Sequence, residues 1–162
     1  KPVKLYRGMK TEYDDPERLG VDRWLASLAA WLRCLSNVCV VDVGTALTID
    51  VVTAGGVHLG GLIAPGPTLM QQSLASGAAE LVREDLSEVE FFGTNTKDAM
   101  SLGCLSAFGG IFNTVENRLD SLGLRDVVWY LTGGGAEAIA SQIPAVFTSA
   151  PDLVLDGLVE FN

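Results

Sequence analysis

Residues 40–50, with the sequence VVDVGTALTID, constrain the fold of this 162-residue chain more than any other segment. An apolar run leads into Asp42, a Gly-Thr turn follows, and a second run rich in strand-forming residues carries Thr48 and Asp50. The pattern predicts a strand, a tight turn and a returning strand. Gly44 permits turn geometry that a side chain would forbid, and its bare backbone lets a ligand approach closely. The segment is therefore a β-hairpin with oxygen-bearing side chains at its bend.

Two interpretations of this bend stay open from its residues alone. It is either an ordinary hairpin with polar turn residues or a ligand site. In the second case Thr45 offers a hydroxyl and an amide to an anion, and Asp42 offers an oxygen to a hard cation. A phosphate and its metal ion would suit such a bend. Other parts of the chain are needed to choose between the two.

Charge and hydropathy exclude some classes of function. The chain has 11 Lys and Arg against 20 Asp and Glu, a formal net charge of -9. This balance argues against nucleic acid as a partner, because phosphates attract basic patches, and against anionic membrane surfaces. Hydrophobic residues make up 48% of the chain, which suits a large core or a buried subunit interface. No apolar run reaches the roughly 20 residues that a membrane span requires.

The cysteines and the single histidine suggest no metal or disulfide framework. Cys34, Cys39 and Cys104 form no C-x-x-C pair, so we expect small core residues in a reducing compartment. His58 has no second histidine to share a zinc site, and we interpret it as a structural strand residue. Since no signal peptide precedes the folded region, we expect a cytoplasmic protein.

Helix and strand patterns alternate along the rest of the chain. Residues 1–17 are polar and irregular. We predict helices at about 19–35, 68–82, 96–122 and 136–142, strands within 38–53 and at 57–64, 127–131 and 145–148, a β-like patch at 89–92, and a closing turn or helix at 152–160. This order indicates an α/β domain with a mixed sheet.

Two more segments accompany the hairpin: YDDPERLGVDRW at residues 13–24 and YLTGGGA at residues 130–136. With them the chain resembles the type III pantothenate kinases of the actin and sugar-kinase superfamily. The family's motifs occur in order: Tyr13, Pro16 and Gly-x-Asp-Arg-Trp at 20–24, Asp-x-Gly-Thr-Ala-x-Thr-x-Asp at 42–50, GGxIxPG at 60–66, Gly-x-Asn-Thr at 93–96, and Thr-Gly-Gly at 132–134. No single motif is strong, but five in this order are specific.

The resemblance implies an actin/sugar-kinase-like (ribonuclease H-like) lobe with a mixed sheet and flanking helices. Residues 1–37 would be a remnant of the N-terminal lobe with an inter-lobe helix, and 38–162 the C-terminal nucleotide- and cation-binding lobe. The family's first phosphate loop, Asp-x-Gly-Asn-Thr-like, has no counterpart before Asp42. We therefore expect that roughly the first third of a typical member is absent and that this chain alone is weak or inactive. Gly135 stands where the family usually has a polar residue.

The resemblance also implies roles for the residues at the start of the first long helix. Asp22 would be the catalytic base that takes a proton from the substrate hydroxyl, although a first-turn carboxylate also suits the helix dipole. Arg23 would grip a carboxylate with its planar fork, or be a surface cation. The implied substrate-binding set is Tyr13, Gly20, Val21, Asp22, Arg23 and Thr96. Thr96 could instead be an N-cap.

A second set of residues would bind the nucleotide and its ions. The resemblance implies that Gly44, Thr45, Gly133 and Gly134 bind ATP with Mg²⁺. Asp42 would bind a monovalent cation, K⁺ or NH₄⁺. At Gly133 and Gly134 the chain would end a strand and open a helix, whose terminal amides favour a phosphate. Glycines are also common at ordinary strand-to-helix turns.

The function implied is ATP-dependent phosphorylation of pantothenate to 4′-phosphopantothenate, the first step of coenzyme A biosynthesis. A non-catalytic kinase-like binding or regulatory module is the alternative, and another phosphotransferase of the superfamily is a third. The family is dimeric, so we expect a homodimer. Phe108, Ile111, Phe112 and Val115 cover a wide arc of the long helix, which favours burial on more than one side. Burial within a single lobe would also explain them.

Overall fold

The strands of the protein join in one mixed sheet. The computed structural model describes residues 1–77, 86 and 91–161. The strands are β1 (Leu5–Tyr6), β2 (Met9–Thr11), β3 (Val38–Val43), β4 (Ala46–Val52), β5 (Val57–Pro65), β6 (Val128–Thr132) and β7 (Phe147–Ser149). Within the described ranges these seven strands form a single sheet in the order β1-β2-β5-β4-β3-β6-β7.

Helices cover both faces of this sheet. They are α1 (Val21–Cys34), α2 (Pro67–Gly77), α3 (Thr96–Ser121) and α4 (Leu153–Phe161), with 3-10 helices at Pro16–Arg18 and Ala136–Gln142. Helices α1 and α4 pack on one face, here called the α1 face. Helix α3 and the second 3-10 helix pack on the other, here called the α3 face. Strand β3 is buried on both sides, which explains its nearly continuous apolar sequence.

Strand pairing brings polar side chains together at one end of the sheet. Strand β3 pairs antiparallel with β4 and parallel with β6. In this register Asp42 lies opposite Thr48 on one side and Thr132 on the other. Directly paired residues point to the same face of a sheet. These three side chains therefore share the α1 face, where β3 and β6 both end.

Most of the predicted elements are confirmed. The hairpin, the third strand and the long helix agree with the sequence to within two residues. The helix predicted at 136–142 is present as a 3-10 helix. Residues 78–82 of the predicted second helix, and 89–90 of the β-like patch, lie outside the described residues. Phe91 and Phe92 form a bend, not a strand.

The expectation of an irregular start at residues 1–17 is wrong. Strands β1 and β2 form a small antiparallel hairpin, and β2 joins β5 in parallel, with Lys10 opposite Val57 and Thr11 opposite His58. Strands of two and three residues are too short to carry a periodic signal. A partner more than 45 residues away in the sequence fixes this pairing. Helix α1 also packs on the sheet formed after residue 38, while the division into two lobes at residue 37 stays a prediction.

The apolar residues of α3 lie on one side of that helix. Phe108 and Phe112 are fully buried, Val115 is 5% exposed, and Ile111 is half-buried. All four belong to the cluster between α3 and the sheet. Burial within a single unit therefore accounts for their spacing, while a dimer contact on this helix stays a prediction.

The cysteines are free thiols. Cys39 and Cys104 are buried and Cys34 is half-buried. Burial and the charge of Asp50 raise the pKa of Cys39 well above its ordinary value, and burial raises the pKa of Cys104. Among the residues that the structure describes, no helix has the length and apolarity to span a membrane.

Candidate active site

The bend between β3 and β4 is exposed and held in place by a neighbouring loop. Gly44 and Thr45 are exposed to solvent, and the Gly44 N–H donates to the Ala46 carbonyl over 2.9 Å. Gly66, just after β5, donates its N–H to the Thr45 carbonyl over 2.9 Å. A Cβ at Gly66 would collide with the Gly44 carbonyl oxygen, so the contact requires glycine.

The glycine loop after β6 packs against the same bend. Gly133 has φ +91, and a Cβ there would lie 2.5 Å from Asp42 Oδ1. The Gly135 N–H donates to the Val43 carbonyl over 2.8 Å, and a Cβ at Gly135 would lie 3.0 Å from Val43 Cγ1. Gly134 is exposed and faces open space. These contacts place the predicted nucleotide residues and Asp42 around the β3–β4 bend, and the region between them is called the cleft below. The tight fit against Val43 explains a glycine at position 135.

The helix that follows this loop cannot support the argument from a helix dipole. It is a 3-10 helix of seven residues, Ala136–Gln142. Such a helix has poorer hydrogen-bond geometry than an α-helix, and the dipole effect depends on aligned peptide units. The expectation of helix-terminal amides directed at a phosphate stays a prediction, and the exposed Gly134 is the part of this loop that is open to a ligand.

Asp42 lies half-buried in a negative environment. Burial, followed by the charges of Asp22 and Asp50, raises its pKa above the ordinary value. Its carboxylate accepts no hydrogen bond from the described residues. Among those residues no three His, Cys, Asp or Glu side chains are arranged to hold a metal ion. Asp42 is therefore a single carboxylate that a cation of low charge would stabilise.

This environment predicts that Asp42→Asn stabilises the protein in the absence of added cations. Because the folded-state pKa is raised, the proton-linked stability is fully present below the unfolded pKa and is lost as pH rises through the folded pKa. At neutral pH the wild-type protein therefore holds an unfavourable charge. Since water screens a half-buried group, we expect a rise in Tm of only a few degrees. Thermal melts at pH 5 and pH 8 should show the larger gain at pH 8.

The exposed Asp14 provides the matched control, because it has no resolved interaction with Asp42. Asp14→Asn should leave Tm nearly unchanged at both pH values. A lower Tm for Asp42→Asn at pH 8 would show that its carboxylate makes a favourable contact instead.

Asp22 lies in the first turn of α1, and its charge contributes to the raised pKa of Asp42. The side chain is exposed, and its Oδ1 accepts the Arg23 N–H over 2.9 Å. The other oxygen accepts no hydrogen bond from the described residues. A Cβ at Gly20 would lie 2.7 Å from Asp22 Oδ1. Gly20 and the exposed Val21 therefore leave the carboxylate accessible beside the cleft.

Arg23 is buried, so the alternative interpretation of this residue as a surface cation is wrong. Its Nε donates to Asp50 Oδ2 over 2.8 Å and its Nη2 to Asp50 Oδ1 over 2.7 Å. Its Nη1 donates to the Tyr13 hydroxyl over 3.0 Å. Burial lowers the pKa of Arg23, but the hydrogen bonds and charge of Asp50, followed by Tyr13, outweigh it and raise the pKa. Of the five N–H groups of the guanidinium, one on Nη1 and one on Nη2 remain.

The partners of Arg23 extend into a buried polar network that sequence reasoning missed. His58 is fully buried, with Nε2 at 2.9 Å from Asp50 Oδ1 and Nδ1 at 2.9 Å from Thr11 Oγ1. Thr11 Oγ1 also accepts the Tyr13 N–H over 3.2 Å. The interpretation of His58 as a structural residue overlooked this network. The available signal was Asp50, a carboxylate in a strand whose neighbours are apolar.

Thr96 does not join the other predicted substrate residues within one chain. It begins α3, which packs on the α3 face, whereas Tyr13 and Arg23 lie on the α1 face. The N-cap of α3 is Asn95, whose side chain accepts the Asp98 N–H over 2.9 Å. Thr96 is therefore not the cap. It is exposed, and no hydrogen bond joins it to Tyr13 or Arg23 among the described residues.

Comparison with solved structures agrees with this fold. A protein assigned to the Baf family of transcriptional activators, from Campylobacter jejuni, aligns with a TM-score of 0.67 at 26% identity over 94% of this chain and 66% of its own. An archaeal actin homologue aligns with a TM-score of 0.52 at 15% identity, covering 86% of this chain and 52% of its own. A protein assigned as a sugar kinase, from Cytophaga hutchinsonii, gives 0.52 at 14%, covering 86% and 63%. The predicted actin/sugar-kinase-like fold is confirmed.

Comparison of sequences identifies the family. The family model described as type III pantothenate kinase matches residues 1–118. Type III pantothenate kinases of Chromobacterium violaceum and Nitrosomonas eutropha are 41% and 39% identical, over 97% and 93% of this chain. The chain spans 66% and 60% of the length of these two relatives. With five ordered motifs and a matching fold, the chain belongs to the type III pantothenate kinase family.

Proposed function

We propose that the protein transfers the γ-phosphoryl group of ATP to a hydroxyl of pantothenate, forming 4′-phosphopantothenate for coenzyme A biosynthesis. The observation that carries this proposal is the accessible Asp22 carboxylate beside the cleft of Asp42, Gly44 and Gly133. Phosphoryl transfer needs positioning, charge neutralisation and a base for the attacking hydroxyl. The cleft and its neighbouring side chains offer residues for each of these tasks.

The nucleotide is assigned to the cleft backbone. Exposed Gly44, Thr45 and Gly134, with Gly133 beside Asp42, would bind ATP through backbone groups and the Thr45 hydroxyl. Bound ATP supplies the phosphoryl group, and its Mg²⁺ neutralises charge on the phosphate oxygens. Within this arrangement Asp22 accepts the proton of the substrate hydroxyl.

A monovalent cation, K⁺ or NH₄⁺, is assigned to Asp42. The raised pKa of this carboxylate supports the assignment, because Asp22 and Asp50 add negative charge to a half-buried site. A cation held there would offset that repulsion and favour the ionised form. It would also place positive charge beside the exposed bend at Thr45.

The substrate is assigned to the residues around the start of α1. The two remaining N–H groups of Arg23 suit a carboxylate, which pantothenate carries. The Tyr13 hydroxyl, bonded to Arg23 Nη1, would lie beside the bound carboxylate. Gly20 and Val21 would line the approach to Asp22. We also assign the protein to the cytoplasm, where soluble metabolites such as pantothenate and ATP meet.

A second copy of the chain is proposed to complete the substrate site. Thr96 belongs to the substrate-binding set by family resemblance, yet α3 and Arg23 lie on opposite faces of the sheet. A homodimer in which Thr96 of one copy reaches the site of the other would reconcile these positions.

Complementation between two inactive variants tests the dimer. Asp22→Asn and Thr96→Ala should each have activity far below that of the wild type. After mixing and subunit exchange, each mixed dimer regains one intact site, so activity should reappear. Wild-type protein that sediments as a monomer at micromolar concentration, or a mixture that stays inactive after proven exchange, would contradict the shared site.

A coupled ADP assay tests the proposed reaction. The protein, at the full length of its relatives, should release ADP from ATP only when pantothenate is present, and faster in K⁺ than in Na⁺ buffer. The 162-residue chain alone should be far slower, since it spans 60–66% of the relatives' length. Absence of pantothenate-dependent turnover by the full-length protein would exclude the kinase assignment.

A non-catalytic binding or regulatory module is the second candidate. The similarity to a protein assigned as a transcriptional activator favours it. The formal charge of -9 opposes direct nucleic-acid binding, so such a module would act through protein or small-molecule contacts. Pantothenate binding without turnover at full length would support this alternative.

A further inference from the structure

We propose that His58 and Asp50 are positioning residues that fix the direction in which Arg23 presents its two remaining N–H groups to the substrate. The proposal rests on the assignment of a substrate carboxylate to Arg23. Neither residue touches the proposed substrate position directly. Both act through the guanidinium of Arg23, because Asp50 accepts hydrogen bonds from it and His58 bonds to Asp50.

The hydrogen bonds of the network form a closed ring that begins and ends at Tyr13. The Tyr13 N–H donates to Thr11 Oγ1, and Thr11 Oγ1 contacts His58 Nδ1 over 2.9 Å. His58 Nε2 contacts Asp50 Oδ1 over 2.9 Å. Asp50 accepts two bonds from Arg23, and Arg23 Nη1 returns to the Tyr13 hydroxyl. Every member of the ring therefore constrains its neighbours.

The chemistry of the groups assigns the direction of the hydrogen bond between His58 and Asp50. The Asp50 carboxylate, paired with Arg23, only accepts hydrogen bonds, so His58 Nε2 must carry the hydrogen that lies between them. Thr11 Oγ1 accepts from the Tyr13 N–H and also bonds His58 Nδ1. Both ring nitrogens of His58 therefore have partners. Arg23 carries the fixed positive charge that balances Asp50.

Close packing surrounds the pair at Gly61 and Tyr13. A Cβ at Gly61 would lie 2.7 Å from Asp50 Oδ1 and 2.9 Å from Arg23 Nη2, and would collide with the Ile49 carbonyl. The Tyr13 ring stacks on His58 at 6.0 Å between centroids, and Arg23 lies 5.9 Å from the Tyr13 ring centre. Because Arg23 and Asp50 are 7% and 2% exposed, little water reaches the pair to replace a lost partner.

The predicted consequence is a loss of substrate binding rather than of phosphoryl transfer. Outer hydrogen-bond partners of binding residues change affinity or activity by roughly 10–100-fold when removed, as measured in metal sites. His58→Phe keeps the ring and its stacking on Tyr13 but removes both hydrogen bonds. We expect KM for pantothenate to rise by about 10-fold while kcat and KM for ATP stay within a few-fold of wild type.

The experiment measures KM and kcat for the full-length protein as wild type, His58→Phe, His58→Gln and Thr11→Val. His58→Gln retains an N–H for Asp50 and should recover much of the affinity, whereas a purely structural histidine would not be rescued this way. Thr11→Val breaks the ring at another point and should raise KM less than His58→Phe. Thr148→Val, on the exposed face of β7, is the matched control and should leave KM unchanged.

A second readout separates this proposal from the proposed function. In the folded wild type, the buried Arg23 Nε–H should give a slowly exchanging NMR signal, and His58→Phe should speed its exchange without unfolding the protein. If the wild type does not act on pantothenate, the kinase assignment fails, while faster Nε–H exchange would still support the positioning of Arg23. If His58→Phe does not fold, Thr11→Val and His58→Gln carry the test. Unchanged KM and unchanged exchange in the folded variants would overturn the proposal.

Discussion

Asp22→Asn is expected to reduce kcat by roughly 100-fold or more, in line with the contribution of a general base. The change keeps the size of the side chain and removes its affinity for a proton. A 100-fold fall in kcat corresponds to about 2.7 kcal/mol in the activation free energy. Loss of a first-turn charge changes the free energy of unfolding by only about 0.3–1 kcal/mol, so lost stability would not account for the fall in kcat. ATP binding, measured by calorimetry, should be nearly unchanged because the assigned nucleotide residues are intact.

Asp156→Asn provides the matched control. Asp156 is also a first-turn carboxylate, on α4, and lies outside the cleft. Because Asp156 also forms an ion pair with Arg33, Asp156→Asn should lose at least as much stability as Asp22→Asn, and only Asp22→Asn should lose rate. If Asp22→Asn retains most of the wild-type rate at saturating pantothenate, the base lies elsewhere in the site.

Local patterns were sufficient for most of the fold. The apolar run before Asp42 and the Gly-Thr turn predicted the hairpin, because strand alternation and turn chemistry are readable over a few residues. The same patterns predicted α3. They also placed Asp42, Gly44 and Gly133 near strand ends. Their convergence in one cleft depends on the parallel pairing of β3 with β6, and only the family resemblance predicted it.

The parts that sequence reasoning missed depend on contacts between distant residues. Arg23 was expected to use its fork on a substrate, but Asp50, 27 residues away, already holds that fork. A charge pattern cannot reveal such a pair, because β4 and α1 meet only in the folded sheet. The parallel pairing of β2 with β5 is hidden for the same reason.

The structure also changes which variants are informative. Arg23→Ala is a poor test of substrate binding, because it leaves the buried Asp50 carboxylate without its counter-charge. Phe112→Asp is a poor test of the dimer, because Phe112 is fully buried within the unit and a charge there would unfold the chain. Thr96 and His58 offer cleaner tests, since their replacement leaves no buried charge unpaired.

Asp50→Asn is expected to have the largest effect on stability. Breaking a buried ion pair by removing one partner costs about 3–5 kcal/mol, because the other charge stays buried without compensation. Here Asn would keep one acceptor oxygen, but it would place an amide N–H against the guanidinium where the other oxygen accepted a bond, and it would remove the charge that balances Arg23. For a protein of this size the loss corresponds to a fall in Tm of roughly 6–20 °C, which differential scanning calorimetry would measure.

The exposed pair between Arg125 and Asp120 provides the matched control. It has the same residue types and a distance of 2.7 Å, but its side chains are 71% and 64% exposed. Solvent-exposed pairs contribute about 0–1 kcal/mol, so Asp120→Asn should barely change Tm. The two pairs match in residue types and closest distance, but Asp50 also accepts a second bond from Arg23 and one from His58, so the contrast reports burial together with these extra bonds. Equal, small effects of the two substitutions would mean that Arg23 finds water or another acceptor when Asp50 is neutral, and the network would then not be the rigid support that holds Arg23 in place.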